Sequence, residues 1–101
     1  MMLLTKQNLK DLPPLYATDG KEDALAPVKF FTPDSSWTWY AVEFDPAEGL
    51  FYGLACGHED EWGYFSLAEL ENARGPLGLR IERDRWYTPV TKKQLNNGVR
   101  P

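Results

Sequence analysis

A chain of 101 residues with 43% hydrophobic and 14% aromatic content fits one folded domain and excludes a disordered segment. Its only cysteine, Cys56, excludes an internal disulfide and predicts a reducing, cytoplasmic setting, and no apolar run reaches the roughly 20 residues of a membrane span. The net charge of −4 divides unevenly: residues 1–73 carry four Lys against thirteen Asp or Glu, a balance of −9, while residues 74–101 carry seven Lys or Arg against two acids, a balance of +5. Between Lys29 and Arg74 there are nine acids and no base. A field of one sign repels phosphates and attracts basic protein surfaces, although acids on turns also maintain solubility and block edge pairing. The opening MMLL, followed by Thr5 and Lys6, lacks the basic region and the long apolar run of a signal peptide.

In chain order, Thr5–Leu12 predicts a short helix capped by Thr5 and stopped by Pro13 and Pro14, with Leu4, Leu9 and Leu12 on one packing face. Ala17–Asp23 is a polar loop around Gly20. Leu25–Phe31 predicts a strand that Pro27 confines to an edge or to its own beginning. After a polar turn over Thr32–Ser36, the strand Trp37–Phe44 alternates Trp37, Trp39 and Ala41 with Thr38, Tyr40, Val42 and Phe44. Both sets hold bulky aromatics, so both faces of this strand need cover. The run Asp45–Gly49 is a hairpin turn, Leu50–Cys56 is a third strand in which Gly53 signals a bulge or a close backbone approach, and Trp62–Phe65 is a fourth. Ser66 and Glu69 have the spacing of a capping box for a helix over Ser66–Arg74, ended by Gly75-Pro76. Arg80–Tyr87 predicts a final strand, and Thr91–Leu95 a last helical turn. The sum is an α+β fold: one small domain over residues 1–101, with a helix at 5–12, a sheet core at 25–87 and a short tail at 88–101. The sheet is expected to be mostly antiparallel with three to five strands, joined by two or three short helices.

The runs LPPLY (Leu12–Tyr16), VKFFTPDSSWTWY (Val28–Tyr40), EWGYFSLAELE (Glu61–Glu71) and RGPLGLRIERD (Arg74–Asp84) resemble a small bacterial family of unknown function. Its members are carried on plasmids, integrative elements and phage-like islands, and the likeness covers residues 3 to about 88. The resemblance implies a cytosolic, single-domain accessory protein of mobile elements. It supplies no reaction, cofactor or catalytic residue.

The residues themselves point to binding rather than to catalysis. Cys56, His58 and the acids after them lack zinc spacing, with no second Cys or His in the chain. As a nucleophile and base two residues apart on a strand, Cys56 and His58 share a side, but nothing marks an oxyanion hole. The acids Asp34, Glu43, Asp45 and Glu59–Glu61 read as solvated turn residues. No catalytic residue, metal ligand or cofactor is therefore expected. The partner-binding candidates are Asp34, Trp37, Trp39, Glu59, Asp60, Glu61, Trp62 and Tyr64, an acidic aromatic set suited to an electropositive host protein. With the mobile-element resemblance, that set predicts a non-enzymatic inhibitor of a host nucleic-acid-targeting defence complex, of anti-CRISPR or antirestriction type. One alternative is a nucleic-acid accessory factor using Arg80, Arg83, Arg85 and Trp86, with Glu82 and Asp84 weakening the field. Another is a ligand-binding domain or enzyme with a pocket lined by Trp37, Trp39 and Tyr64. Direct nucleic-acid binding is the lesser expectation, no membrane partner is expected, and the chain is a monomer or a homodimer.

Overall fold

A computed structural model describes residues 3–101. The elements run α1 (Lys6–Asp11), β1 (Leu25–Ala26), β2 (Val28–Phe31), β3 (Thr38–Asp45), β4 (Leu50–Cys56), β5 (Asp60–Ser66), α2 (Leu67–Asn72), β6 (Glu82–Arg83), β7 (Val90–Thr91) and α3 (Lys92–Asn96). Five strands form one antiparallel sheet in the order β5-β4-β3-β2-β6, while β1 and β7 pair in a separate two-stranded sheet. The architecture is α+β. Strands β2 to β5 meander, and β6 returns to the far edge beside β2.

Several expected elements change at their ends, each for a local reason. Pro27, lacking an amide donor, separates β1 from β2, so the predicted strand Leu25–Phe31 serves two sheets. The predicted strand Arg80–Tyr87 shrinks to Glu82–Arg83, paired with Phe31 and Phe30. Asp84 ends it: its amide donates to the Lys29 carbonyl at 2.9 Å and its carboxylate accepts from the Trp86 amide at 2.9 Å, which turns the chain away. The segment after residue 88, predicted as a tail with one helical turn, also builds β7. Helix α1 buries none of its own residues, and Leu9 is exposed rather than packed; Leu3, Leu4 and Leu12, flanking the helix, enter the core instead. Reciprocal capping occurs at Thr5 with Asn8 and at Thr91 with Gln94. At α2 only half of the expected box forms, with Ser66 Oγ accepting from the Glu69 amide at 3.0 Å.

The main sheet is covered on both faces. On one, Val28, Phe30, Ala41, Phe44 and Phe51 pack with Leu3, Leu4, Leu12, Leu70 and Ile81, and with the half-buried Trp39, Phe65 and Leu67. On the other, Tyr40, Val42 and Leu54 pack under Ala26 and Leu95, joined by Cys56, Trp62, Tyr87 and Val90. A β-bulge decides which residue goes where. Ala41 opposes Gly53, yet Glu43 opposes Tyr52, so Val42 is the extra residue. The insertion reverses the alternation predicted for β3. Phe44 joins Trp39 and Ala41, and Glu43 joins Tyr40 on the opposite face. Gly53 is required there, because a Cβ at that position would collide with the Tyr40 carbonyl.

Candidate functional site

Alternation along β5 splits the acidic aromatic set predicted from the sequence. Register places Trp39, Ala55 and Glu61 in one row across β3, β4 and β5, while Tyr40, Leu54 and Trp62 form a row on the opposite face. Trp37, Trp39, Glu59 and Glu61 therefore come together. Asp60, Trp62 and Tyr64 face the other way, so Trp37, Trp39 and Tyr64 do not line a common pocket. Asp34 belongs to neither group. Its Oδ2 accepts from the Leu77 amide at 2.8 Å and the Leu79 amide at 3.4 Å, fastening the turn before β3 to the connector after α2. Gly75 is needed there because a Cβ would strike the Asp34 carboxylate.

The first group is built on the Gly57–Glu59 turn. Trp37 stacks on Trp39 with ring centroids 5.9 Å apart and planes at 26°, and meets His58 edge-on at 5.8 Å. Gly57 passes directly beneath the Trp37 indole, where any side chain would overlap the ring. The result is an open groove of about 380 Å³ lined by Trp37, Ala55, His58, Glu59 and Glu61. Glu59 and Glu61 make no ion pair among the described residues. At Gly63, on the same face of β5 as Glu61, space lies open above the backbone. His58 packs against Trp37, whereas Cys56 lies in the cluster with Tyr40 and Leu54, so the predicted shared side for these two is not realised. Burial, then the nearby Asp60, pushes the Cys56 thiol up from its usual pKa. Among the described residues no three of His, Cys, Asp and Glu group as metal ligands.

On the opposite face the charges are largely engaged. Arg100 reaches Asp60 at 2.7 Å and the Leu95 carbonyl at 2.7 Å, and its hydrogen bond holds the Asp60 carboxyl below the usual range. Trp62 Nε1 donates to Asn96 Oδ1 at 2.8 Å, and the Tyr40 hydroxyl donates to the Pro101 carbonyl at 3.0 Å. Tyr87, half-buried against Tyr40, donates to the Ala26 carbonyl at 2.7 Å, and desolvation raises its pKa to about 12.

A second cavity on this face has no counterpart in the sequence reading. Glu43, expected as a solvated turn acid, is 3% exposed. It accepts from the Tyr16 amide at 2.8 Å, from the Thr18 amide at 2.9 Å and from the Thr18 hydroxyl. Tyr16 pays for this grip with a φ of 71°, a left-handed conformation uncommon for a bulky residue. The signal in the sequence was an acid inside an apolar strand, between Val42 and Phe44. Tyr16, Asp19, Glu43, Tyr52, Tyr64 and Lys92 surround an open cavity of about 260 Å³. Hydrogen bonding with the Tyr16 hydroxyl pushes the Tyr64 pKa up.

The basic alternative set lies at the β6 edge. Arg83 Nε donates to the Leu3 carbonyl at 3.0 Å, and Asp84 pairs with Lys29 at 3.3 Å. Arg80 bridges to Arg74 through the backbone and is exposed, as are Arg85 and Trp86, the latter 87% exposed.

Fold and groove together describe a small two-faced α+β domain with aromatic surfaces. The chain belongs to the family DUF2958, a protein of unknown function, whose model matches residues 3–96. No curated protein and no solved structure matches it. Among the described residues no helix is long and apolar enough to cross a membrane.

Proposed function

We propose that the protein is a non-enzymatic binding module whose Trp37–Trp39–His58 surface, rimmed by Glu59 and Glu61, docks an electropositive partner protein. The observation that carries this reading is the pre-stacked Trp37, 37% exposed, held over Gly57 beside two acids that have no internal cation. Rigid, partly exposed Trp side chains lose little entropy on contact and are enriched among residues costing about 2 kcal/mol or more when truncated. Unpaired rim carboxylates steer a basic surface towards them. With the mobile-element setting implied by the sequence resemblance, the partner is a host complex that handles nucleic acid, its phosphate-binding surface met by Glu59 and Glu61. The basic reading through Arg83, Arg85 and Trp86 has less support, because Arg83 and Asp84 are already engaged within the domain.

The test is retention of host proteins on immobilised wild type and on a Trp37→Ala/Glu61→Lys variant. The expected result is a basic protein held by the wild type, released by moderate salt and lost in the double variant. Equal retention by the variant overturns the reading.

A further inference from the structure

We propose that the cavity walled by Tyr16, Tyr52 and Tyr64 over the buried Glu43 carboxylate binds an alkylammonium cation. The site lies on the face of the sheet opposite the Trp37 groove and is independent of the function proposed for that groove. Tyr52 and Tyr64 stand opposite each other on β4 and β5, with ring centroids 5.4 Å apart and planes at 60°, forming two walls at an angle. Tyr16 closes a third side from the loop after α1. Tyr16 is 70% exposed and Tyr64 53% exposed as residues, so neither is consumed by the core. Aromatic faces arranged in this way present negative potential to a cation.

The floor carries the same sign. The Glu43 carboxylate is buried, and its three donors are two amides and a hydroxyl, not a cation. Lys92 stands at the rim, but its ammonium is committed to the Thr18 carbonyl at 2.8 Å. Asp19 lines the cavity and makes no ion pair among the described residues. Two carboxylates against one engaged ammonium leave the lining net negative. The hydrogen bond from the Tyr16 amide to Glu43 and the positive φ that accompanies it fix the backbone that carries this ring at the cavity mouth. A volume of about 260 Å³ admits a small headgroup and a short chain.

The chemistry of the walls excludes the other small ligands. An anion meets two carboxylates. A bare divalent ion finds rings where it needs about six to eight oxygen ligands, and no metal-ligating trio occurs among the described residues. A methylated ammonium, weakly hydrated and spread over its methyl groups, suits π faces. It has two sources, a free choline-like molecule or a methylated lysine side chain of another protein.

The experiment follows the ring signals of Tyr16, Tyr52 and Tyr64 by NMR during titration of the whole chain. The probes are choline, its uncharged isostere with a tert-butyl group in place of trimethylammonium, and a short peptide with and without one trimethyllysine. The expected result is saturable shifts with choline or the methylated peptide, and binding at least about tenfold weaker for the isostere and the unmethylated peptide. Stronger binding of the peptide assigns the cation to a protein side chain, and stronger binding of choline to a small molecule; either supports the site. Tyr64→Ala, at an exposed ring, is expected to weaken binding about tenfold with the melting temperature unchanged, and Asp19→Asn about threefold. Equal binding of the isostere, no saturation by either cation, or full affinity in a folded Tyr64→Ala variant overturns the proposal.

Discussion

Glu43→Ala removes the acceptor that ties the loop after α1 to the centre of the sheet. Three donors lose it: the Tyr16 amide, the Thr18 amide and the Thr18 hydroxyl. They do not lose equally. Tyr16 is 70% exposed, so its amide regains water at little cost, whereas Thr18 is 6% exposed and its two donors stay dry. A buried donor without a partner costs about 1–3 kcal/mol. Two of them give about 2–6 kcal/mol, less about 1 kcal/mol recovered as Tyr16 leaves its left-handed conformation. A net loss of about 3 kcal/mol is a large share of the roughly 5–15 kcal/mol available to such a domain. Urea unfolding followed by tryptophan emission measures it. With a slope of about 1.5 kcal/mol per molar, the midpoint is expected to fall by about 2 M at constant slope. A midpoint shift below about 0.3 M, with the loop still in place, refutes the idea that Glu43 is a structural anchor. Glu43→Gln keeps one acceptor oxygen and is expected to fall between wild type and Glu43→Ala.

Gly57→Ala is expected to expel the Trp37 indole from its stack on Trp39 while costing under about 1 kcal/mol, since the ring is already partly exposed. A red-shifted tryptophan emission and loss of partner retention check it. Gly53→Ala meets backbone rather than a movable side chain, so the melting temperature is expected to fall by more than about 10 °C. Alkaline stability tests Tyr87. Its folded pKa of about 12 lies above the ordinary value of 10.0, so the folded state retains a proton that the unfolded chain releases. The contribution of Tyr87 is therefore full below about pH 10 and declines as pH rises towards about 12, with the tyrosinate absorbance lost in Tyr87→Phe reporting its late ionisation. Tyr87→Phe is expected to flatten that decline.

The elements whose instructions are local were legible in the chain. Thr5 and Ser66 cap the helices they precede, Gly49 takes a φ of 62° in the Asp45–Gly49 turn, and the antiparallel meander follows the spacing of the turns. What the chain withheld depends on partners distant in sequence. The shortened β6 depends on Asp84 meeting Lys29, and the burial of Glu43 depends on a loop about 25 residues away. Gly53 announced an irregularity, but not that the extra residue would be Val42 on the neighbouring strand. For the site, residue types alone group Asp60, Trp62 and Tyr64 with Trp37, because acidic and aromatic character does not say which face of the sheet a side chain takes. Strand alternation separates them across the thickness of the sheet.

The bulge at Val42 makes the middle of the molecule a counting device. Pair the same residues without the bulge and the downstream half of β3 turns over: a carboxylate enters a stack of phenylalanines, and a phenyl ring is offered to the tyrosine cavity. Loss of Val42 alone would leave Glu43 and Phe44 on their present faces, because the ladder already skips that residue. Natural variants of this domain are expected to tolerate insertions and deletions in the polar loop over Ala17–Asp23, and between Ala41 and Phe44 only changes that keep the acid and the phenylalanine on opposite faces.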